Sequence, residues 1–572
     1  MINKVYKFGE LVLDPCCGSG NFLIEILKRI TTSNKKEKEK ILAINNVYGF
    51  DINPISIFIS KINFLTVLKD FFTYDDIHFN LYVADSLFSI KNKRFDLIIG
   101  NPPWYTFSDI EAYQYQEKIK KLAEQLEIKP RPKNILNIEI ATLFFYQSRV
   151  FMKKNAKIFF VITKGVITGS HASRFRNFKG FKNVKIWTFN KKIEKIFNID
   201  FICILAQKSK KTQPNLNLEV PDYHFTLKNE NNNINYFTNI ELKLKEIKTL
   251  VPYSIEKKGN NFYTKKLIPK KQRNRLFLSV ESYYKKLFHK GADLNPRNLI
   301  FVTSENINDS LIKINPDERI FKRSKTPWNK KEFENEIVEE KYLFKIIKST
   351  ELVKFHIFDY FNVFLPLSKI DLSFNYNQLL PYAKNFYDKI NKIYLNLKKS
   401  TTRHKSLMDN LNRWSKLINQ RQLSKIKVVY NNSGSILNSA IIHGNFLVTG
   451  DLSFYATDNI DEAYYLVAVL NSNIMTKQIQ IKRSSRHIFK IPLESPIKKF
   501  NRKNKIHCKL VELGKMGQFI AKSIVDELRN NNEKHLSKHE IQNILSQRLR
   551  PVLKKIDEYL PNIMAKNLIV KD

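Results

Sequence analysis

The 572-residue sequence has few features of secreted, membrane or metal-binding proteins. Its cysteines number only four, and their spacing fits neither a zinc site nor a set of disulfides: Cys16, Cys17, Cys203 and Cys508. No apolar run approaches the roughly 18 residues of a membrane span, and the first ten residues lack the apolar stretch of a secretory signal. These absences predict a reduced, soluble, cytoplasmic protein that does not enter a membrane.

Acidic residues are also scarce, since 54 Asp and Glu stand against 97 Lys and Arg, a net charge of +43. Residues 1–130 carry 17 basic and 16 acidic side chains, so the remainder carries 80 basic and 38 acidic ones, a net of +42. A codon bias towards lysine is the alternative explanation, but it would not spare one segment so completely. The uneven excess favours a polyanionic partner, DNA or RNA, bound outside the first 130 residues.

Apolar runs alternate with helical patterns over the first ~205 residues, which is typical of a parallel α/β sheet. Strands are predicted at residues 11–13, 47–50, 81–83, 95–99, 158–162 and 201–206, and helices at residues 22–30, 54–68 and 137–151. The polar segment 109–133 is predicted to form a helix and a loop over the site. Composition changes at the charged stretch 208–222, which predicts a linker between a first domain, 1–207, and a basic, aromatic-rich region.

A glycine turn in LDPCCGSGNFL follows the first predicted strand and precedes a helix. Gly18 and Gly20 allow positive φ and a close approach of the backbone to a ligand. The helix that follows directs its free N–H groups towards the same place. Phe22 either lies against that ligand or fills the helix–sheet interface. The turn, with Asp14 and Pro15, predicts one end of a cofactor site.

Two further strand ends carry acidic residues that complete a nucleoside-type site. Asp51, in YGFDINP, is placed to accept hydrogen bonds from ribose hydroxyls, as in dinucleotide sites. Asp85, in VADSL, is placed to receive the amino group of a cofactor adenine. A fourth strand ends in IIGNPPW, where Pro102 and Pro103 stiffen the loop because each fixes φ.

The order DPCCGSG, DINP, ADSL and NPPW resembles the adenine-N6 DNA methyltransferases of restriction-modification systems. In the subgroup it resembles, the cofactor motif precedes the catalytic motif and the target-recognition domain is C-terminal. The resemblance is dense to residue 206 and patchy afterwards. It implies a Rossmann-like methyltransferase sheet in 1–207, a mixed α+β target-recognition domain in 223–500 and a helical C-terminal segment in 501–572.

The resemblance also implies the chemistry of the site. S-adenosylmethionine is the implied cofactor, no metal is needed, and the target adenine is flipped out of the duplex. The side-chain oxygen of Asn101 and the carbonyl of Pro102 accept the two amine protons, in a loop stiffened by Pro103. Trp104 stacks on the base, and Phe197 matches a second aromatic against it, with ordinary sheet packing as the alternative. Cofactor binding is assigned to Asp14, Pro15, Gly18, Gly20, Phe22, Asp51 and Asp85.

Double-stranded DNA is the expected partner, and seven basic residues are candidate contacts to it: Arg174, Arg176, Arg273, Arg275, Lys322, Arg323 and Arg483. A solvated basic surface is the alternative for each of them. Because phosphate contacts position an enzyme while base-edge contacts specify a sequence, these residues predict affinity and not a recognition sequence.

Members of this subgroup usually carry a further cofactor-binding segment before the glycine turn, and residues 1–10 show none. The expectation is that the true start lies upstream, that a separately encoded chain supplies the part, or that cofactor binding is weak. A cognate restriction endonuclease is a further expected partner, since residues 316–318 lack the rest of a nuclease pattern. The alternatives are an RNA or protein amide methyltransferase, which the long basic region opposes, and a non-catalytic DNA-binding specificity subunit, which the intact motifs oppose.

Overall fold

The computed structural model describes residues 2–69, 77–89, 93–210, 217–228, 241–259, 261–273, 275–276, 282–483, 486–531 and 537–564. The chain forms two compact units, Met1–Arg275 and Leu276–Asp572. In the described residues, no helix is both long enough and apolar enough to cross a membrane.

The first unit is built on a ten-stranded mixed sheet. Its strands, with a small hairpin formed by β10 and β11, are β1 (Val12–Asp14), β2 (Val47–Asp51), β3 (Asn80–Val83), β4 (Phe95–Gly100), β5 (Met152–Thr163), β6 (Phe181–Phe189), β7 (Phe201–Lys208), β8 (Val220–Leu227), β9 (Leu242–Pro252), β10 (Ile255–Lys258), β11 (Asn261–Thr264) and β12 (Leu267–Pro269). The strand order is β12-β9-β8-β6-β7-β5-β4-β1-β2-β3. Strands β5, β4, β1, β2 and β3 run parallel, so their carboxyl ends meet at one edge.

Helices cover both faces of this sheet, as a parallel sheet requires. They are α1 (Ile2–Val5), α2 (Asn21–Thr31), α3 (Glu37–Ile44), α4 (Pro54–Leu68), α5 (Tyr113–Gln125), α6 (Ile140–Gln147), α7 (Gly165–Thr168), α8 (Lys191–Glu194) and α9 (Lys270–Arg273). On β4, Ile98 packs in the core that contains α6, whereas Leu97 and Ile99 pack in the core that contains α2 and α4. The continuous apolar runs of the sequence therefore arise because both faces of these strands are buried.

The six strands and three helices expected from the sequence are all present, with ends shifted by a few residues. The sheet, however, continues beyond residue 207, because β8 pairs with β6 in parallel and β9 pairs with β8. The expected linker 208–222 thus joins two strands of one sheet, although residues 211–216 lie outside the described residues. The boundary between the two units falls at Arg275.

The second unit contains two main sheets and a helical part. Its strands are β13 (His289–Lys290), β14 (Phe301–Asn306), β15 (Leu311–Pro316), β16 (Glu336–Glu339), β17 (Leu343–Ile347), β18 (Leu352–Val353), β19 (His356–Ile357), β20 (Phe361–Phe364), β21 (Ile426–Asn431), β22 (Ser439–His443), β23 (Phe446–Val448) and β24 (Leu452–Ala456). The six-stranded sheet has the order β16-β15-β14-β20-β17-β23, and the four-stranded sheet has the order β13-β24-β21-β22. This arrangement agrees with the expected mixed α+β region.

The helices of the second unit are α10 (Glu318–Phe321), α11 (Pro381–Leu397), α12 (Leu407–Leu411), α13 (Ile460–Asn471), α14 (Asn473–Lys482), α15 (Lys505–Asn531), α16 (Lys538–Arg548) and α17 (Arg550–Met564). One core joins α13 to α17 with the four-stranded sheet, and buries Val428 together with Leu510 and Ile556. Of the helical segment expected at 501–572, the described residues form α15, α16 and α17, which share this core with the preceding residues.

Candidate active site

The glycine turn after β1 is held by hydrogen bonds from three directions. The Gly18 N–H donates to Asp51 Oδ2 at 2.9 Å, and the Ser60 hydroxyl donates to the Gly18 carbonyl at 2.7 Å. The Ser86 hydroxyl donates to the Pro15 carbonyl at 2.5 Å. Gly18 and Gly20 have φ of 56° and 85°, which only glycine adopts at little cost. The turn is therefore fixed by the ends of β2 and β3 and by α4.

Asp14 lies beneath the turn, where β1 ends, and is only 1% exposed. Its Oδ1 accepts from the Cys16 N–H at 3.1 Å. Strand β4 passes so close that a Cβ on Gly100 would lie 2.4 Å from Asp14 Oδ1, so glycine is required at that position. Burial raises the pKa of Asp14 to about 7, and the nearby Asp51 carboxylate adds to that rise. A cationic group beside Asp14 would stabilise its ionised form.

The carboxylates expected at the next two strand ends are held ready for a ligand at the same edge. Asp51 Oδ1 accepts from the Asn53 N–H at 2.9 Å, so backbone donors orient both of its oxygens. Asp85 accepts from the Leu87 N–H at 3.1 Å through Oδ1. Each carboxylate oxygen has further acceptor capacity. Phe22 is half-buried and packs against the core beneath the turn, which agrees with the helix–sheet alternative for this residue.

Two tyrosines that the sequence did not single out surround Asp85. The Tyr115 hydroxyl, on α5, donates to Asp85 Oδ2 at 3.0 Å. Tyr105 is 38% exposed, and burial together with the Asp85 charge raises the pKa of its hydroxyl. The segment expected to lie over the site therefore does so through α5. No local motif marks Tyr115, because its contact with Asp85 spans 30 residues.

The NPPW loop leaves β4 next to Asp14. Asn101 is exposed, and within the described residues its side-chain amide makes no hydrogen bond. Pro102 is buried and Pro103 is half-buried, so the loop is anchored directly after Asn101. The amide oxygen of Asn101 is thus available to accept a hydrogen bond.

Trp104 is oriented by a hydrogen bond and an aromatic cluster. Its indole N–H donates to the Val161 carbonyl at 3.2 Å. Its ring centroid lies 4.9 Å from that of Phe197 in an edge-to-face contact, and 6.1 Å from that of Phe201 in a stacked one. Phe197 is 40% exposed. The structure thus brings together the two expected aromatics, but in direct contact, so a base would meet an outer face of the cluster.

A buried carboxylate supports the NPPW loop from below. Glu139 Oε1 lies 2.7 Å from His171 Nε2, and its other oxygen accepts from the Thr163 hydroxyl. The backbone of Glu139 also bridges to Thr106, two residues after the tryptophan. This cluster connects the end of β5 to the loop, and its members are too far apart in sequence for a motif to reveal it.

The structure contradicts one expected DNA contact. Arg176 is 1% exposed, and its guanidinium donates to the Thr264 and Val166 carbonyls at 3.0 and 2.6 Å. Burial lowers its pKa to about 9. Arg174 is half-buried, donates to the Tyr263 hydroxyl at 2.9 Å and lies over that ring. Arg176 therefore holds the β10–β11 hairpin and cannot reach DNA, because the basic stretch that contains it folds inwards.

The remaining basic candidates differ in their surroundings. Arg273, Arg275, Lys322 and Arg323 are exposed, and Lys322 forms an ion pair with Glu318 at 2.5 Å. Arg483 is half-buried and donates to the Gly434 carbonyl at 2.7 Å. Exposure keeps four of these residues as predicted DNA contacts, and Arg483 has a structural partner as well.

Comparison with known proteins shows which family model and which solved structures this chain resembles. Residues 2–176 match the family model described as N-6 DNA Methylase. The Type II methyltransferase M.VspI of Vibrio sp. (strain 343) is 35% identical over 94 residues, which span 16% of this chain and 19% of that relative. The fold is similar to that in the solved structure of the Type IIL restriction-modification enzyme MmeI in complex with DNA. The alignment covers 98% of this chain and 70% of the MmeI chain, with a TM-score of 0.52 and 12% identity.

The family match spans the glycine turn, both acidic strand ends and the NPPW loop, and the structural similarity extends the likeness in fold to the second unit. The predicted fold class, a Rossmann-like sheet followed by further domains with a helical end, is confirmed. The chain is thus similar to the N-6 DNA methylases of restriction-modification systems, and residues 2–176 are the part that matches their family model.

Proposed function

We propose that the chain transfers a methyl group from S-adenosylmethionine to the N6 amino group of an adenine flipped out of DNA. The observation that carries this proposal is the position of the unbonded Asn101 amide, on a proline-anchored loop beside Asp14 and Trp104. The match of residues 2–176 to N-6 DNA methylases supports the same reaction.

The residues at the edge of the sheet fit such a cofactor. A Cβ on Gly18 would meet nothing within 4 Å, so the turn faces open space that a ligand can enter. Asp51 is oriented to accept from ribose hydroxyls, and Asp85 to accept from an adenine amine. The buried Asp14 carboxylate suits a cationic ligand. When bound, S-adenosylmethionine supplies an electrophilic methyl group on a sulfonium.

The protein's part in the reaction is to prepare the amine. An exocyclic aromatic amine is a poor nucleophile, because its lone pair is delocalised into the ring. The Asn101 oxygen and the Pro102 carbonyl accept hydrogen bonds from its two N–H groups and favour a tetrahedral nitrogen, and the rigid loop fixes both acceptors in advance. Trp104 offers a face on which the flipped base stacks. In this reaction the amine nitrogen would bond to the methyl carbon as S-adenosylhomocysteine leaves, and the nitrogen would pass one proton to solvent water.

The test is transfer of tritiated methyl groups from S-adenosylmethionine to unmethylated genomic DNA, followed by nucleoside analysis. We expect N6-methyladenine. Parallel reactions with RNA and with protein extract separate the proposal from an amide methyltransferase. Label in RNA or protein alone, N4-methylcytosine in DNA, or cofactor binding without any transfer would each overturn it.

A further inference from the structure

The second unit contains a cavity of about 1100 Å³ in which nine of the 24 lining residues are Lys or Arg. Nine Lys and Arg side chains line it, against two carboxylates, and we call it the cation-lined cavity: Arg297, Arg319, Arg323, Lys325, Lys348, Lys398, Lys399, Arg413 and Lys538. Small-molecule pockets are usually lined mainly by apolar residues with a few polar groups. The excess of positive charge points to an anionic ligand.

The two carboxylates leave most of these cations without an ion pair. Asp359 is already paired with Arg319, whose Nη1 lies 3.0 Å from its Oδ2. Glu351 accepts from the Thr350 hydroxyl at 2.6 Å, and burial raises its pKa, so burial favours its neutral form. Arg319 also pairs with Asp317 at 2.7 Å. The other eight cations of the cavity form no ion pair with a described residue.

Among these eight cations, Lys348 gives the strongest indication of an anionic ligand. It is only 5% exposed, and its ammonium makes no hydrogen bond or ion pair within the described part of the chain. Its Nζ lies 4.7 and 5.6 Å from the ring centroids of Phe361 and Phe301, and the charges of Glu351, Asp451 and Asp317 act on it without forming an ion pair. Burial and the neighbouring Arg297 guanidinium lower the pKa of Lys348 to about 8. A buried ammonium with a cation beside it is costly unless an anion joins them.

Two arginines of the cavity show the same deficit. The buried Nε of Arg297 and that of Arg413 have no hydrogen-bond partner among the residues that the structure describes. Arg413 uses another nitrogen to donate to Asn410. Buried donors in folded proteins are nearly always satisfied, so each unsatisfied one calls for an explanation. All three residues line the cavity, so acceptor oxygens bound in it would lie near these donors and Lys348.

We propose that the cation-lined cavity binds backbone phosphates of DNA, with Lys348 and Arg297 at its centre and Arg323 at its exposed rim. The inference rests on the proposed function, which makes DNA the substrate. Phosphate oxygens match both the ammonium and the guanidinium donors. The second unit, residues 276–572, carries 50 Lys and Arg against 29 Asp and Glu, a net charge of +21, which favours a long polyanion over a single small one.

The test measures binding of a fluorescein-labelled DNA duplex to the full chain by anisotropy, over a series of NaCl concentrations. Lys348→Met keeps the length of the side chain and removes its charge. Lys345→Met is the matched control, because Lys345 is an exposed lysine on β17, three residues away, that does not line the cavity. We expect K348M to bind about tenfold more weakly, with a salt slope smaller by about 0.9, and K345M to bind as the wild type does.

A second pair keeps the test valid should K348M fold poorly, which its melting temperature would reveal. Arg323→Met removes an exposed cation of the rim, and Arg550→Met removes an exposed one elsewhere in the unit. We expect R323M, and not R550M, to weaken binding and to lower the salt slope.

Three results would overturn the inference. K348M and R323M equal to their controls would exclude the cavity as a DNA site, while leaving the proposed function intact. Pyrophosphate that raises the melting temperature of the wild type but not of K348M, with equal DNA affinities, would make it a small-anion site. A wild-type chain that binds no DNA at all would overturn the proposed function as well.

Discussion

In the first unit the candidate active site is made of residues that directly follow four neighbouring parallel strands, whereas the cations of the second unit's cavity come from segments between residues 297 and 538. Asp14, Asp51, Asp85 and Asn101 meet because the carboxyl ends of parallel strands share one edge. The cavity depends instead on how two sheets and several helices pack together.

The difference teaches how function is distributed over the residues of each site. At the strand ends each side chain has one proposed chemical task, and several have a fixed partner, such as Asp51 with the Gly18 N–H at 2.9 Å. In the cavity many like charges contribute to one field, and no single one defines it. Substitutions at the strand ends should therefore abolish a step, while those in the cavity should weaken binding by degrees.

The largest effect is expected from Asn101→Ala. Loss of the amide oxygen removes one of the two acceptors for the amine protons, and we expect methyl transfer to fall by about 100-fold or more. Cofactor and DNA affinities should change little, because Asn101 has no structural hydrogen bond among the described residues. Single-turnover methyl transfer and equilibrium binding measure the two separately.

Asn34→Ala is the control for this experiment, because Asn34 is an exposed asparagine in the loop between α2 and α3. It should transfer methyl groups at the wild-type rate. Full activity of N101A would remove Asn101 from the reaction, and with it the claim that one strand-end atom is indispensable.

The second effect concerns the pH dependence of folding. The pKa of the Asp14 carboxyl is about 7 in the folded protein and near 3.8 when exposed. Between these values the folded state binds more protons than the unfolded state, so the free energy of unfolding falls as the pH rises from about 4 to about 7. Urea unfolding over that range, wild type minus Asp14→Asn, isolates this contribution. An equal pH dependence in both proteins would show that Asp14 ionises normally.

Asp14 and Asn101 could be singled out from the sequence because their setting is local. A strand followed at once by Asp14 and a glycine turn, or by Asn101 and two prolines, leaves a pattern within seven residues. The contact of Tyr115 with Asp85 and that of His171 with Glu139 leave none. They span 30 and 32 residues, so only the folded chain reveals them.

Trp104 is both an expected ligand contact and a packed side chain, so its substitution tests which of the two roles matters. We expect Trp104→Ala to weaken stacking of the flipped base by about 1–3 kcal/mol, and Trp104→Phe to restore most of it. Fluorescence of 2-aminopurine at the methylated position, once that sequence is known, reports the stacking itself. If both variants quench it as the wild type does, the indole serves packing alone.

The second unit was less predictable for a physical reason. Its excess of positive charge was visible in the sequence, but burial and pairing decide which cations matter. Arg176 is conspicuous in sequence and buried in the fold, whereas Lys348 belongs to no basic cluster and lines the cavity without an ion pair to any described residue. Charge composition therefore predicted a polyanionic partner without locating its site.

The smallest expected effect separates the two kinds of site most sharply. If Lys348 and Arg323 bind different phosphates, the losses of binding free energy caused by K348M and R323M should add. The increase in Kd of the double variant K348M/R323M should then equal the product of the two single increases within about twofold. At the strand ends N101A/W104A should transfer methyl groups little more slowly than N101A alone, because residues that serve one step act as a unit. Anisotropy measures the DNA affinities of the cavity variants, and single-turnover rates measure methyl transfer by the strand-end variants. Strong coupling in the cavity would mean that both cations hold one phosphate, and additivity at the strand ends would mean that Trp104 and Asn101 act in separate steps.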